Sequence, residues 1–217
     1  MVKTAVLVSG GGTNLQAIID ANMFGEIKNF ELAAVISSNP EAYAIERAQH
    51  AGVAVYIVDR SIFPNRFSFT KAILDMLKDL EIELVVYAGF NYILGSHLID
   101  EFKNRIINIH PALIPSFCGP GYYGLRVHEA VLAHGVKVSG ATAHFATETV
   151  DDGPIILQKA VEIFEDDTPS TLQRRVMEEA EWKLLPEAIS LFCEGRLKVE
   201  GRIVHILEAA DDDKQHL

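Results

Sequence analysis

The stretch Ala5-Val6-Leu7-Val8-Ser9-Gly10-Gly11-Gly12-Thr13-Asn14-Leu15-Gln16-Ala17-Ile18 decides the fold. An unbroken apolar run meets a glycine-rich turn, and the turn opens into an amphipathic segment, Leu15 to Ala21. A run without alternation needs cover on both faces, as a strand of a parallel sheet does. The pattern then repeats. Strands are expected at Leu32 to Ile36, Val53 to Val58, Leu84 to Tyr87 and Ile106 to Ile109, with helices at Ala42 to His50, Phe67 to Leu80 and Ser96 to Phe102 between them. This βαβαβαβ order predicts an α/β, Rossmann-like, mostly parallel sheet with helices on both faces. The apolar N-terminus is read as the first strand rather than a leader, because Gly10 to Asn14 cut it off without a cleavage pattern.

After Ile109 the character changes. Pro111, Pro115, Gly119, Pro120, Gly121 and Gly124 crowd a stretch too rich in turn formers for regular structure, so Ser116 to Val127 is expected as a long loop. A short helix near Val127 to Ala133 follows, then strands at Val138 to Phe145 and Ile155 to Phe164. Thr168 and Pro169 suit the start of a helix running to about Cys193. No linker divides the chain, so residues 1–207 are expected as one domain and residues 208–217 as an acidic, flexible tail.

The 217 residues fit a single core. No apolar run approaches the roughly 18 residues that cross a bilayer, and the net charge of -11 argues against nucleic acid or anionic membrane as partner. Cys118 and Cys193 lie far apart with no CxxC and no histidine at ligand spacing, so no disulfide and no metal site is expected. The default setting is reducing and cytoplasmic.

The glycine turn directs backbone N–H groups and a helix N-terminus at any anion, which suits a phosphate. It is not a dinucleotide fingerprint, since Leu15 stands where a third glycine would be, and no lysine follows as in a nucleotide P-loop. The plainer alternative is a tight turn capped by Thr13 or Asn14.

In Arg105-Ile106-Ile107-Asn108-Ile109-His110-Pro111 the two-residue period puts Asn108 and His110 on one face at the carboxyl end of a buried strand, where open α/β sheets bind ligands. An amide can hold a developing oxyanion, and an imidazole can donate to the same oxygen and shuttle a proton. That equips acyl transfer without a covalent nucleophile. Keeping the imidazole charged calls for a carboxylate, offered by Asp151-Asp152 in the loop Thr147 to Pro154. His144, sharing a strand face with Thr142, is expected to support the chemistry. Cys118, in a proline-glycine loop, is a poor nucleophile.

These motifs resemble the phosphoribosylglycinamide formyltransferases, within the folate-dependent formyltransferases. The resemblance covers roughly residues 2 to 206 and rests on Val8 to Ile18, Ala88-Gly89-Phe90, Ile107 to Pro115, and Asp151-Asp152-Gly153-Pro154-Ile155-Ile156. It implies transfer of the formyl group of 10-formyltetrahydrofolate to the amine of 5-phosphoribosylglycinamide, in purine biosynthesis, by direct attack through a tetrahedral intermediate. It implies that His110 donates the proton, that Asn108 holds the formyl oxygen, and that Asp151, fixed by Val150 before it, raises the histidine pKa. By the same resemblance Gly12, Thr13 and Asn14 hold the acceptor's phosphate and Glu181 touches its glycinamide end. Arg66 and the run Asn91-Tyr92-Ile93-Leu94 bind the folate, with no metal. Tyr92 departs from the arginine common there, the Ser116 to Val127 loop is several residues longer than in other members, and the spacing from Arg174-Arg175-Val176 to Glu181 is one residue longer. The implied state is a monomer or homodimer.

The alternatives are another user of the same donor, such as a formyltetrahydrofolate hydrolase, and a non-catalytic phosphate-binding module. Hydrolase and tRNA-modifying relatives are expected to carry a further domain.

Overall fold

The structure is a computed structural model and describes residues 1–209. The expected tail lies almost wholly outside the described residues. One nine-stranded sheet has the order β3-β2-β1-β4-β5-β6-β7-β9-β8. Its parallel half comprises β1 (Val2–Val8), β2 (Phe30–Ser37), β3 (Val55–Ile57), β4 (Leu84–Tyr87) and β5 (Ile106–His110). Then β6 (Val138–Phe145) pairs antiparallel with β5, and β7 (Ile155–Glu162) antiparallel with β6.

The helices α1 (Thr13–Met23) and α2 (Ala44–His50) cover one face together with α5 (Leu125–His134), α6 (Pro169–Val176) and α7 (Trp182–Cys193). The other face is covered by α3 (Arg66–Asp79) and α4 (Ser96–Glu101). Two cores result, because strand residues point alternately to each side. Val6 and Val8 enter one, Ala5 and Leu7 the other. This double burial is why the parallel strands read as unbroken apolar runs.

Several expectations change. The loop after β5 ends sooner than Val127, because α5 begins at Leu125. The β7 strand stops at Glu162, short of Phe164. Neither Thr13 nor Asn14 caps α1; the cap is Gly12, at φ 71°, and no side chain bonds the exposed N–H groups. A β-carbon on Gly12 would lie 2.7 Å from that of Ala44, so this glycine also permits α2 to approach. Thr168 caps α6 as expected, in a reciprocal pair with Thr171 and with Pro169 at the first turn. The helix does not run straight to Cys193, however: Met177–Glu181 forms a π-helical turn between α6 and α7.

The hairpin of β8 (Leu197–Glu200) and β9 (Ile203–Ile206) was not anticipated. Half-exposed and only four residues per strand, it carries little of the apolar signal that marks a buried strand. It joins the sheet through the pair Ile155 and Ile203.

Candidate active site

The strand order reverses direction at β1 and β4, and ligands of open α/β sheets bind outside the carboxyl ends at such a point. Ser9, just past β1, ties the crevice together. Its Oγ lies 2.7 Å from Ser38 Oγ beyond β2 and accepts the Asn91 N–H beyond β4 at 3.0 Å.

Asn108 and His110 occupy the end of β5 and face the same side, as parity requires. Opposite Asn108 on β6 stands His144. The His144 ring donates from Nδ1 to its neighbour's carbonyl, Phe145 O, at 2.9 Å, and its Nε2 lies 3.0 Å from Asn108 Nδ2. That contact engages one N–H of the amide, and the second is left for a ligand. His144 thus contacts the crevice through Asn108.

The loop between β6 and β7 turns back over this face. Asp151, held at φ 55°, brings Oδ2 to 3.4 Å from His110 Nδ1 and Oδ1 to 3.7 Å from His144 Nε2. The adjacent Gly153 has no room for a side chain, since a β-carbon there would meet Phe145 O at 1.6 Å. Asp152 points elsewhere, to Arg202 of the hairpin at 3.0 Å, in an exposed pair. Asp151 is thus the member of the acidic pair at the centre.

The long loop reaches the same groups. His110 Nε2 donates to Phe117 O at 2.9 Å, and the Gly119 N–H donates to Asp151 Oδ2 at 2.9 Å. Phe117 sits in the left-handed region at φ 50°, a conformation a bulky residue adopts only when its surroundings impose it. Sequence spacing carried no sign of either contact.

Burial lowers the His110 pKa below that of a free imidazole, and it outweighs Asp151 and the Phe117 carbonyl, which both raise it. The expectation of a net upward shift is corrected here: Asp151 pushes upward, but the nearly dry setting, with His110 4% exposed, prevails. Burial would raise the Asp151 carboxyl, yet His144, His110 and the Gly119 N–H together take it below its ordinary value. A second buried imidazole, His128 on α5, has neither ring nitrogen partnered among the described residues, and burial followed by His110 pushes it down to about 4.

At the glycine turn, Gly10 and Gly11 face open space. Arg47 of α2 steadies the turn, donating from Nε to Gly11 O at 2.9 Å and from Nη1 to Gln16 at 3.0 Å. No spacing in the sequence linked it there. Asn14 turns inward, and its Nδ2 donates to Glu181 Oε2 at 2.7 Å. Glu181 closes the π-helical turn, 6% exposed, and burial drives its carboxyl up to about 7 despite the Asn14 bond. A π turn widens an α-helix by one residue, and Glu181 is the last residue of this one.

Arg66 and Asn91 to Leu94 lie on the α3 and α4 side. The Thr70 hydroxyl links them, donating to Arg66 O at 2.8 Å and accepting the Gly95 N–H at 3.0 Å. Leu94 is buried, whereas Arg66, Asn91, Tyr92 and Ile93 are exposed. Cys118 bonds Pro115 O, and burial raises its thiol, so it is not an activated nucleophile. Among the described residues no cluster of histidine, cysteine and carboxylate groups fits a metal ion, and no helix is long and apolar enough to cross a membrane.

A crevice at the sheet's reversal point, with an amide donor, an imidazole and a buried carboxylate side by side and a glycine-rich turn two strands away, fits a group-transfer α/β protein. The chain belongs to the formyl transferase family, whose model matches residues 2–189. It is 38% identical over 206 residues to phosphoribosylglycinamide formyltransferase of Haemophilus influenzae, spanning 95% of this chain and 94% of that protein. It is 39% identical over 209 residues to the trifunctional purine biosynthetic protein adenosine-3 of Bos taurus, of which it spans a fifth. The crystal structure of glycinamide ribonucleotide transformylase 1 from Symbiobacterium toebii superimposes with a TM-score of 0.90 at 46% identity, covering 96% of this chain and 95% of that one. A formyltetrahydrofolate deformylase from Pseudomonas syringae, 23% identical, shares the fold at a TM-score of 0.85.

Proposed function

We infer that the protein is a phosphoribosylglycinamide formyltransferase, moving a formyl group from 10-formyltetrahydrofolate to the amine of 5-phosphoribosylglycinamide in purine biosynthesis. The observation that carries this reading is the shared face of Asn108, His110 and Asp151, with no nucleophile among them. The glycine turn follows β1 and His110 ends β5, two strand spacings away across β4. At about 4.8 Å per strand that is roughly 10 Å. A phosphoribosyl unit carrying a glycyl amide spans such a gap, with phosphate on Gly12, Thr13 and Asn14 and the amine near His110.

The amine attacks the formyl carbon, a C–N bond forms, and the carbonyl oxygen becomes an oxyanion. Asn108 has an N–H free to hold it, since His144 occupies the other, and His110 Nε2 donates beside it. The intermediate collapses by breaking the bond to the donor's N10; the proton lost by the amine reaches N10, with His110 as carrier. Asp151, on the far side of the ring, favours the charged imidazole. Because His110 Nε2 now faces Phe117 O, the substrate oxygen takes the place of that carbonyl. Glu181 faces the glycinamide end through Asn14, and Arg66 with Asn91, Tyr92, Ile93 and Leu94 receives the folate.

The test is formyl transfer to 5-phosphoribosylglycinamide by the purified protein. Turnover that His110→Ala reduces by about 10²- to 10⁴-fold is expected, the usual weight of a positioned acid-base group. A folded protein without turnover, or a His110→Ala variant as active as the parent, overturns the reading.

A further inference from the structure

Ser9 is where the two arms of the crevice meet. It is the last residue before the glycine turn, whose Gly10 O accepts the Ala44 N–H of α2 at 3.0 Å. Its own contacts go to neighbouring strand ends. The Ser9 N–H donates to Gly89 O at 3.1 Å, and the Asn91 N–H donates to Ser9 Oγ at 3.0 Å, so one residue grips both flanks of Phe90. Asn91 is the residue at which the run assigned to the folate begins. The bond to Gly89 prolongs the ladder that the Ala88 N–H makes to Leu7 O, and any residue but proline would supply it. The bond from Asn91 needs a hydroxyl.

That hydroxyl is buried and fully engaged. Ser38 Oγ donates to Val8 O at 3.3 Å, which leaves the Ser9 proton for Ser38 Oγ, 2.7 Å away. A continuous chain then runs from the Asn91 N–H through both hydroxyls to Val8 O at the end of β1. Ser9 is 7% exposed and Ser38 2%. In so dry a setting hydrogen bonds are stronger than in water and polarise one another. A shift of the Asn91 backbone without Ser9, or of Ser9 without Asn91, would leave a buried polar group unpaired, which costs more than the bond itself contributes.

We propose that Ser9 is a positioning residue that couples the two substrates, so that the acceptor's phosphate on the glycine turn and the formyl donor on the run after β4 each tighten the binding of the other. This rests on the assignment of the phosphate to the turn and of the folate to the run. A phosphate that gathers the N–H groups of Gly12, Thr13 and Asn14 fixes the turn, and with it Ser9 just upstream. Through Oγ the Asn91 backbone is then already in place for the donor. The effect is reciprocal by linkage: whatever factor the donor lends the acceptor, the acceptor lends the donor. Its carrier is a contiguous hydrogen-bonded chain with one end at each site. Ser9 acts through the two loops and not on the reacting atoms.

The experiment measures by calorimetry the Kd of 5-phosphoribosylglycinamide for the full chain, alone and with saturating tetrahydrofolate, which carries no formyl group and so fills its site without turnover. In the parent that Kd is expected to fall about tenfold when tetrahydrofolate is present, and the Kd of tetrahydrofolate to fall by the same factor when the acceptor is present. In Ser9→Ala the factor shrinks to within about twofold of unity. Ser9→Thr, which keeps the hydroxyl, retains it. So does Ser38→Ala, which removes an equally buried hydroxyl but leaves the Asn91 bond. A merely structural serine would weaken each ligand alike with or without the other, leaving the ratio at its parental value. The proposal is overturned if the parent shows no coupling, if Ser9→Ala keeps the parental factor, or if Ser9→Thr or Ser38→Ala loses it as fully as Ser9→Ala does. Tetrahydrofolate that does not bind the parent at all overturns the folate reading itself, and is distinguishable from all of these.

Discussion

Asp151 and Asp152 are adjacent in sequence and serve different ends of the molecule. Asp151 Oδ2 lies 3.4 Å from His110 Nδ1 with its side chain 8% exposed, whereas Asp152 reaches out to Arg202 at 3.0 Å in solvent. An exposed pair contributes between nothing and about 1 kcal/mol. Asp151→Asn is therefore expected to lower kcat by about 10²-fold or more, and Asp152→Asn to leave it within about twofold while shifting stability by less than about 1 kcal/mol. Steady-state rates of the two variants, alongside a urea melt, check this; the opposite order would place the wrong carboxylate at the centre.

The pH profile carries a sign. If His110 donates as the imidazolium, activity falls as pH rises through its pKa, which burial already places below the ordinary value and Asp151 partly restores. Removing Asp151 lets burial act unopposed, so the alkaline limb of kcat in Asp151→Asn should move to lower pH. A profile of both proteins from pH 5 to 9 reads this, and a limb that stays put or moves upward contradicts the role given to Asp151.

Glu181 predicts a stability difference with the same kind of bookkeeping. Its carboxyl titrates at about 7 in the folded chain against 4.5 as the reference, so the folded state holds the proton more tightly. Stability from this group is present below the reference value, declines as pH rises between the two, and stays lost above about 7. The loss amounts to about 3 kcal/mol at most. Glu181→Gln, which retains an acceptor for Asn14, should gain on the parent in denaturant midpoint at pH 8 relative to pH 4.5, while its KM for the acceptor rises. Equal midpoint differences at both pH values would show that Glu181 is not protonated by burial.

Gly12→Ala tests the turn. The φ of 71° and the 2.7 Å approach to Ala44 act together, so the variant should lose about 2 kcal/mol or more in a urea melt. Affinity for the phosphorylated acceptor should fall with it, because the turn and α2 move apart. Gly10→Ala, which meets open space, should cost well under half as much in the same measurement.

Much of this was legible in the sequence because the signals are local. Strand parity placed Asn108 and His110 together, unbroken apolar runs announced the parallel strands, and Thr168-Pro169 announced α6. What escaped was non-local. His144 on Asn108, Arg47 steadying the glycine turn, and Phe117 and Gly119 on His110 and Asp151 all depend on chain segments that meet only after folding, several of them through backbone atoms that carry no residue identity. The hairpin after Cys193 escaped for a different reason, since its short strands bury too little to leave a pattern. The net direction of the His110 shift also needed the fold, because burial is not written in spacing.

The π-helical turn at Met177–Glu181 has a bearing on how such sites tolerate change. A π turn widens an α-helix by one residue, and here the widening sits between α6 and α7 and ends at the carboxylate that meets Asn14. A slack link of this sort decouples numbering from geometry: chain length can drift on one side of Glu181 without disturbing what lies on the other. Trimming one of Glu178 or Glu179 would draw that slack in, returning the segment to an uninterrupted α-helix with the 181 carboxylate still in reach of Asn14.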